Sequence, residues 1–325
     1  MLGFIVRRSL QAVLVLLLMS VLVFIGMYAV GDPADIRVNA QADLQERERA
    51  IAAFGPDKPL WTQYSLFLSG ALHGDLGRSF VHNTPALGLI LERLPATLEL
   101  AIAAMLIAIV LGVPLGLWAG LAPETVTGRT LVAGSMLGIS LPTFWVGLLL
   151  IMAFSVMLGW LPASGRGPTT LLDGVPVSFL SLAGWRYLIL PATSLALFKL
   201  ALLIRLTRAH TREALREDYV KFARAKGLTN VRVIGVHVLR NVVLPIVTVI
   251  GLEFGSIIAF AIVTESVFDW PGMGKLLVDS IKLLDRPTIV AYLLVTVSVL
   301  IVINLIVDIL YSALDPRVRL SDAKG

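Results

Sequence analysis

Cysteine is absent from the 325 residues. That excludes a disulfide framework, thiol catalysis and thiolate sites for zinc or iron–sulfur clusters, and it leaves the redox compartment open. Charge is scarce as well: only 15% of residues are Asp, Glu, Lys or Arg, against about 25% in a typical soluble domain. The histidines, His73, His82, His210 and His237, are scattered without the spacing of metal ligands, and His237 is read as serving loop packing. No internal repeat stands out. What fills the chain instead is apolar, with 57% hydrophobic residues and a mean hydropathy of +0.86. These values lie in the integral-membrane range and exclude a soluble enzyme. The net charge of +5 and pI near 9.6 would suit nucleic acid, but the basic residues gather at the ends of apolar runs. The positive-inside rule produces that pattern, so no nucleic-acid partner is expected.

A bilayer core of about 30 Å needs about 20 apolar residues in a helix. Six stretches meet or nearly meet that length: Leu10 to Val30, Ala96 to Leu121, Leu131 to Leu158, Tyr187 to Ile204, Val242 to Val263 and Ile289 to Tyr311. The fold class expected is therefore an all-α integral membrane protein with six transmembrane helices. The first run follows Arg7 and Arg8 like a signal peptide, but its unbroken length from Ala12 to Val30 favours a retained anchor. Four regions follow: residues 1–30 with the first span, a polar segment 31–95, a five-helix core 96–311, and a tail 312–325.

Orientation is read from Lys and Arg near the span ends. Arg7 and Arg8 place the N-terminus in the cytoplasm, and Arg317, Arg319 and Lys324 place the C-terminus there too. The loop 205–241 carries Arg205, Arg208, Arg212, Arg216, Lys221, Arg224, Lys226, Arg232 and Arg240, opposed only by Glu213, Glu217 and Asp218. It is assigned to the cytoplasmic side. The segment from Gly31 to Pro95 is rich in Asp and Glu and is placed outside, with a helix expected from Ala42 to Phe54. The shorter loops Pro162 to Arg186 and Ser266 to Pro287 join it there.

Within the basic loop, Leu215, Tyr219, Phe222 and Ala223 form an apolar stripe at i, i+4, i+7 and i+8 on a first short helix. Gly227 supplies a left-handed stop. Thr229 or Asn230 caps a second helix with the stripe Val231, Ile234, Val238 and Leu239. Such a basic amphipathic helix suits either an anionic lipid surface or a groove on a cytosolic protein. The pattern does not choose between them.

Two charges fall near mid-depth of their spans: Lys199 in the fourth and Glu253 in the fifth. A charge at the bilayer centre costs about 2.5–3.5 kcal/mol, so each is expected to face protein or water. They either pair or jointly line a translocation cavity; otherwise a span boundary is misplaced and one of them snorkels. Glu99 and Asp308, nearer span ends, read as interfacial or helix-packing residues. Pro114 and Pro142 interrupt backbone hydrogen bonding within spans, as kinks or as ordinary packing features. The run Pro271-Gly-Met-Gly-Lys-Leu276 resembles a phosphate loop, but Asp269 stands where the first Gly belongs and Leu276 where the Mg²⁺-binding hydroxyl belongs. Nucleotide binding is not expected in this chain.

A series of ordered motifs carries a family resemblance. They include Gly31-Asp-Pro-Ala-Asp35, Asp57-Lys-Pro59, Gly74-Asp-Leu-Gly-Arg-Ser79, Leu94-Pro-Ala-Thr-Leu-Glu-Leu100 and Ser140-Leu-Pro-Thr-Phe144. Asp218-Tyr-Val220, Ala223-Arg-Ala-Lys-Gly-Leu228, His237-Val-Leu-Arg-Asn241, Glu265-Ser-Val-Phe268 and Trp270-Pro-Gly-Met-Gly274 follow, ending with Asp308-Ile-Leu-Tyr311 and Asp315-Pro-Arg317. Over nearly its whole length the chain resembles an inner-membrane permease of an ATP-binding cassette (ABC) importer, in the dipeptide, oligopeptide and nickel branch, at the position of the first permease of a heterodimer. The superfamily's loop motif reads EAA, three residues, Gly, nine residues, I-x-L-P. Aligned on Gly227, this chain has Lys221-Phe-Ala223 and Arg240 closing His237-Val-Leu-Arg240 instead, a departure that looks like the peptide branch's own version.

The resemblance implies that the basic loop is a coupling helix docking on an ATPase subunit. The residues carried over are Leu215, Asp218, Tyr219, Phe222, Ala223, Arg224, Ala225, Lys226, Gly227, His237, Arg240 and Asn241. Implied partners are a second homologous permease, two ATP-binding cassette subunits that hold ATP and Mg, a periplasmic or lipid-anchored substrate-binding protein, and a peptide substrate. No cofactor is expected in this chain. Nickel chelates, glutathione and peptide-like antibiotics are alternative cargoes for the branch, and a stand-alone secondary transporter or channel is the rival class. The bacterial inner membrane is the implied location. The outer segment 31–95 either sits under the binding protein or packs against the second permease.

Overall fold

The computed structural model describes residues 2–30 and 59–314. The helix expected over 42–54 and the motif at 315–317 lie outside them. Ten helices are named here: α1 (Leu2–Val30), α2 (Leu60–Leu72), α3 (Ala86–Leu121), α4 (Val126–Ser140), α5 (Thr143–Met157), α6 (Leu182–Ala214), α7 (Asp218–Ala225), α8 (Asn230–Val267), α9 (Met273–Lys282) and α10 (Arg286–Leu314). Among the described residues, five helices are long and apolar enough to cross a membrane. A sixth crossing exists if α4 and α5, which meet at 107°, count as one span. The continuous third span expected over 131–158 is thus corrected to two helices. Pro142 lacks an N–H to extend α4 and instead occupies the cap position before α5, with extended backbone at φ −60° and ψ 136°.

The other long helices outrun the hydropathy boundaries. The fourth span extends to 33 residues in α6, so Arg205, Arg208 and Arg212 lie on the span's own helix rather than in a loop. Helix propensity explains this, since Arg, Leu and Ala favour helix whether the surroundings are lipid or water. Ser181 starts α6 by accepting a hydrogen bond from the Gly184 amide at 2.9 Å. A hairpin of two three-residue strands, β1 (Thr170–Leu172) and β2 (Val175–Val177), precedes it.

The chain forms two compact units. One comprises residues 1–97 and 271–305. Its small core sets Val23 and Phe24 of α1 against Phe67 of α2 and Val290 of α10. Phe24 meets the Tyr64 ring edge-on at 5.4 Å, and the Tyr64 hydroxyl bonds Ser20 Oγ at 2.8 Å. Buried Asp285 caps α10: it accepts from Thr288 Oγ1 at 2.7 Å, from Ser79 Oγ at 2.5 Å and from the Phe80 amide at 3.0 Å. A residue 205 positions away is thereby tied to the loop before α3.

The other unit comprises residues 98–270 and 306–325. Along α3, Gly112, Gly116 and Gly120 let α6 approach closely. A Cβ on Gly116 would stand 2.6 Å from Thr207 Cβ and 2.7 Å from the Ile204 carbonyl oxygen, so only hydrogen fits. In the same unit the Glu99 carboxylate, near the start of the second span, anchors the hairpin region. It accepts from Arg166 Nη2 at 2.5 Å, the Ser178 amide at 2.7 Å, Ser178 Oγ at 2.6 Å and the Phe179 amide at 2.9 Å. Arg166 also donates to the Pro176 carbonyl at 2.7 Å and lies 5.7 Å from the Trp270 ring centroid. Glu99 is therefore a packing residue whose charge is answered directly.

Candidate functional site: a basic helical elbow and a mid-span ion pair

Helix α7 owes its form to its ends. Asp218 stands in the first turn and Arg224 in the last, each favourable to the helix dipole. Lys221 Nζ donates to Asp218 Oδ1 at 2.8 Å across one turn. That hydrogen bond, and then the ammonium charge, hold the Asp218 carboxyl below the usual carboxylate range, and the same bond, and then the Asp218 carboxylate charge, raise the Lys221 ammonium above the usual lysine range. The chain leaves the helix through Gly227 at φ +77°, a conformation that strains any side chain with a Cβ.

The burial of α7 differs from the expected stripe. Val220 and Ala223 face inward, whereas Tyr219 is 38% and Phe222 62% exposed. Leu215 lies outside α7, as the half-buried residue that ends α6. The short helix thus spends its small apolar residues on this chain and presents its aromatics outward. Around them Arg224, Ala225, Lys226 and Gly227 are exposed, and Lys226 Nζ stands 4.5 Å from the Phe222 ring centroid.

The second expected helix is not separate. It is the first part of α8, running through a π-helical stretch at Val233–Val238 into the fifth span. Val233 and Val238 are buried, while Val231 is 83% exposed, so the stripe read through Val231 is displaced. The π turn accounts for this shift, because an i→i+5 turn changes which residues share a face. Asn241 is exposed and joins the two helices: its side-chain amide donates to the Tyr219 hydroxyl at 3.1 Å and to the His237 carbonyl at 2.8 Å. Partial burial is the largest influence on Tyr219 and raises its phenol above the usual range, with the Asn241 hydrogen bond opposing. Arg240 is exposed beside this junction.

Further along the same helix, Glu253 meets Lys199 of α6. Lys199, 6% exposed, donates from Nζ to Glu253 Oε2 and, at 2.5 Å, to Ser256 Oγ. Ser256 Oγ lies 3.0 Å from Glu253 Oε2, closing a three-membered polar cluster. The Glu253 side chain keeps 27% exposure. The two charges are brought together as the sequence suggested. Ser256 was missed, although its i+3 spacing from Glu253 on an apolar helix was the available signal.

Comparison with known proteins then identifies the architecture. A family model for the binding-protein-dependent transport system inner membrane component matches residues 112–320, and the corresponding N-terminal model matches residues 1–101. The chain is 38% identical to the dipeptide transport system permease protein DppB of Escherichia coli K12, covering 98% of this chain and 99% of the relative. It is 41% identical to the di/tripeptide permease DppB of Pseudomonas aeruginosa, covering 89% and 90%. Identity is 38% to the glutathione permease GsiC of Escherichia coli K12, covering 98% and 99%. Among solved structures, a chain of the MetNI methionine ABC transporter, in inward-facing conformations, shares the fold with a TM-score of 0.55 at 15% identity. It covers 71% of this chain and 98% of that one. The motifs, the membrane helices and the full-length relatives agree: this multi-pass membrane protein belongs to the family of binding-protein-dependent transport system inner membrane components.

Proposed function

We propose that the chain is a membrane-spanning permease of an ATP-driven importer for peptides of the dipeptide to oligopeptide class, working by alternating access. The substrate class is supported by its 38–41% identity to dipeptide and di/tripeptide permeases. Glutathione, itself a small peptide, is a second reading supported by the equally long match to a glutathione permease. In this account ATP and Mg bind a separate pair of ATPase subunits, a second permease completes the pathway, and a binding protein delivers substrate from outside. The termini and residues 205–241 face the cytoplasm of a bacterial inner membrane.

The observation that carries the reading is the exposed Phe222–Tyr219 face of α7, ringed by Arg and Lys. An aromatic anchor within a basic rim suits a cleft on a protein partner. Closure of that partner would move α7, and Asn241 would pass the motion to α8 as a rigid body. Lys199 and Glu253 would then lie on the pathway, exchanging their mutual contact for peptide or water as the cavity opens to either face. The work done is a population shift between two states, with no bond chemistry in this chain.

The test is reconstitution of the assembled transporter in proteoliposomes with labelled dipeptide. Phe222→Asp should lower uptake at least tenfold while leaving the membrane fold intact, because burial of such a ring is worth about 1.5–3 kcal/mol. Unchanged ATP-driven uptake would count against the coupling assignment. Uptake by this chain alone, driven by an ion gradient without ATP, would refute the importer reading.

A further inference from the structure

In the unit formed by residues 1–97 and 271–305, a cavity of about 380 Å³ opens between the first turns of α3 and the length of α9. Its volume lies in the range of small-ligand sites, about 300–1,000 Å³. Its charges do not balance, with Arg93, Lys275 and Lys282 facing it against Asp279 alone. Asp279 is already engaged, accepting from Lys275 Nζ at 2.7 Å. Arg93 is half-buried and makes no hydrogen bond or ion pair among the described residues, and Lys282 makes none either. With no protein acceptor among the described residues, the five guanidinium donors are open to an anion, which Arg can bind in bidentate, charge-assisted fashion.

The surroundings select which anion. At the end of α9, Ile281, Leu283 and Leu284 are 52%, 59% and 66% exposed, and Leu91 of α3 is 49% exposed. Arg93 stands three residues before the apolar run of α3 begins at Ala96. Charge and bare aliphatic surface thus meet where a span reaches the level of the lipid headgroups. A small soluble anion would leave those aliphatic side chains in water. A phospholipid covers them with the acyl chains that follow its phosphate.

We propose that this cavity holds the phosphate of an anionic membrane phospholipid, with Arg93 and Lys282 donating to its oxygens and Ile281, Leu283 and Leu284 packing on its acyl chains. The site is independent of the import reading, which stands or falls on other measurements. Native mass spectrometry of the assembled, detergent-purified transporter titrated with dioleoylphosphatidylglycerol tests it. The paired substitution Arg93→Gln with Lys282→Gln should weaken one bound phosphatidylglycerol about 25-fold, each single change about fivefold, while Arg93→Lys retains most of the affinity. Dioleoylglycerol, which lacks the phosphate, should bind weakly and equally to all forms. Unchanged phosphatidylglycerol affinity in the double variant would overturn the proposal. So would inorganic phosphate binding as tightly as the lipid, or loss of a protein subunit with lipid affinity intact, which would assign the cavity to an acidic protein surface. If Arg93→Gln does not fold, Lys282→Gln alone decides, since that side chain is exposed.

Discussion

Replacing Lys199 by Met removes one half of a charge pair while leaving most of the side-chain volume. Lys199 is 6% exposed, and its loss strips Glu253 of its ammonium partner, leaving only the Ser256 hydroxyl at 3.0 Å. Orphaning a fully buried charge costs about 3–5 kcal/mol. Glu253 retains 27% side-chain exposure, so water returns part of that, and the expected loss is about 2–3 kcal/mol. Glu253→Gln in the Lys199→Met background removes the orphaned charge and should recover most of it. The reversed pair, Lys199→Glu with Glu253→Lys, should recover less, because the ammonium then leaves the Phe198 ring that lies 5.1 Å from it. Thermal unfolding of the purified transporter, arranged as a double-mutant cycle, measures the coupling directly. Additivity of the two single changes within about 0.5 kcal/mol would refute the pairing.

Three further outcomes follow from the packing and charges. Gly116→Ala should destabilise by about 1–3 kcal/mol through overpacking, whereas Gly134→Ala, with nothing within 4 Å of the new Cβ, should not. Equal effects in a thermal-shift comparison would contradict the close α3–α6 contact. Glu99→Ala should cost about 3–5 kcal/mol by stranding Arg166 and two backbone amides; a melting temperature within a degree of the parent would remove Glu99 from its anchoring role. For α7, Asp218 is depressed, so its contribution is whole above the ordinary carboxylate range and fades as pH falls through the lowered value. Lys221 is raised, so its contribution is whole below the ordinary lysine range and is lost as pH rises through the raised value. Corrected for intrinsic exchange, amide protection in α7 should therefore be flat across neutral pH and decline on acidification. In Asp218→Asn that decline should be absent, and its persistence would assign the effect elsewhere.

Much of this was legible from residue chemistry. The apolar runs marked the membrane helices because lipid demands both length and hydrophobicity, and Gly227 marked a left-handed turn that the backbone adopts. Lys199 and Glu253 could be matched because charge at mid-depth needs an answer. Hydropathy is blind, however, to where a helix stops in water, so α6 was truncated at Ile204 although it continues to Ala214. Pro142 was visible as a breaker, but the 107° angle depends on packing on either side of it. The partners Glu99 and Arg166 are 67 positions apart and belong to no common motif. The aromatics of α7 read as one apolar stripe with Leu215 and Ala223, because periodicity identifies a face without saying whether this chain, lipid or another protein covers it, and here Ala223 turns inward while Tyr219 and Phe222 stay exposed.

The π-helical stretch at Val233–Val238 has a geometric effect on everything beyond it. A π turn accommodates one residue more than an α turn, and one residue corresponds to about 100° of rotation around a helix axis. The azimuth at which α8 presents Glu253, relative to the azimuth at which it holds Asn241 against Tyr219, therefore depends only on turns that lie between 241 and 253. The azimuth of Asn230 and Arg232 is indexed separately, on the far side of the wide turn. Removing one residue inside 233–238 would re-phase the first turn of α8 by about a quarter revolution while leaving the Tyr219–Asn241 and Lys199–Glu253 contacts in register with each other.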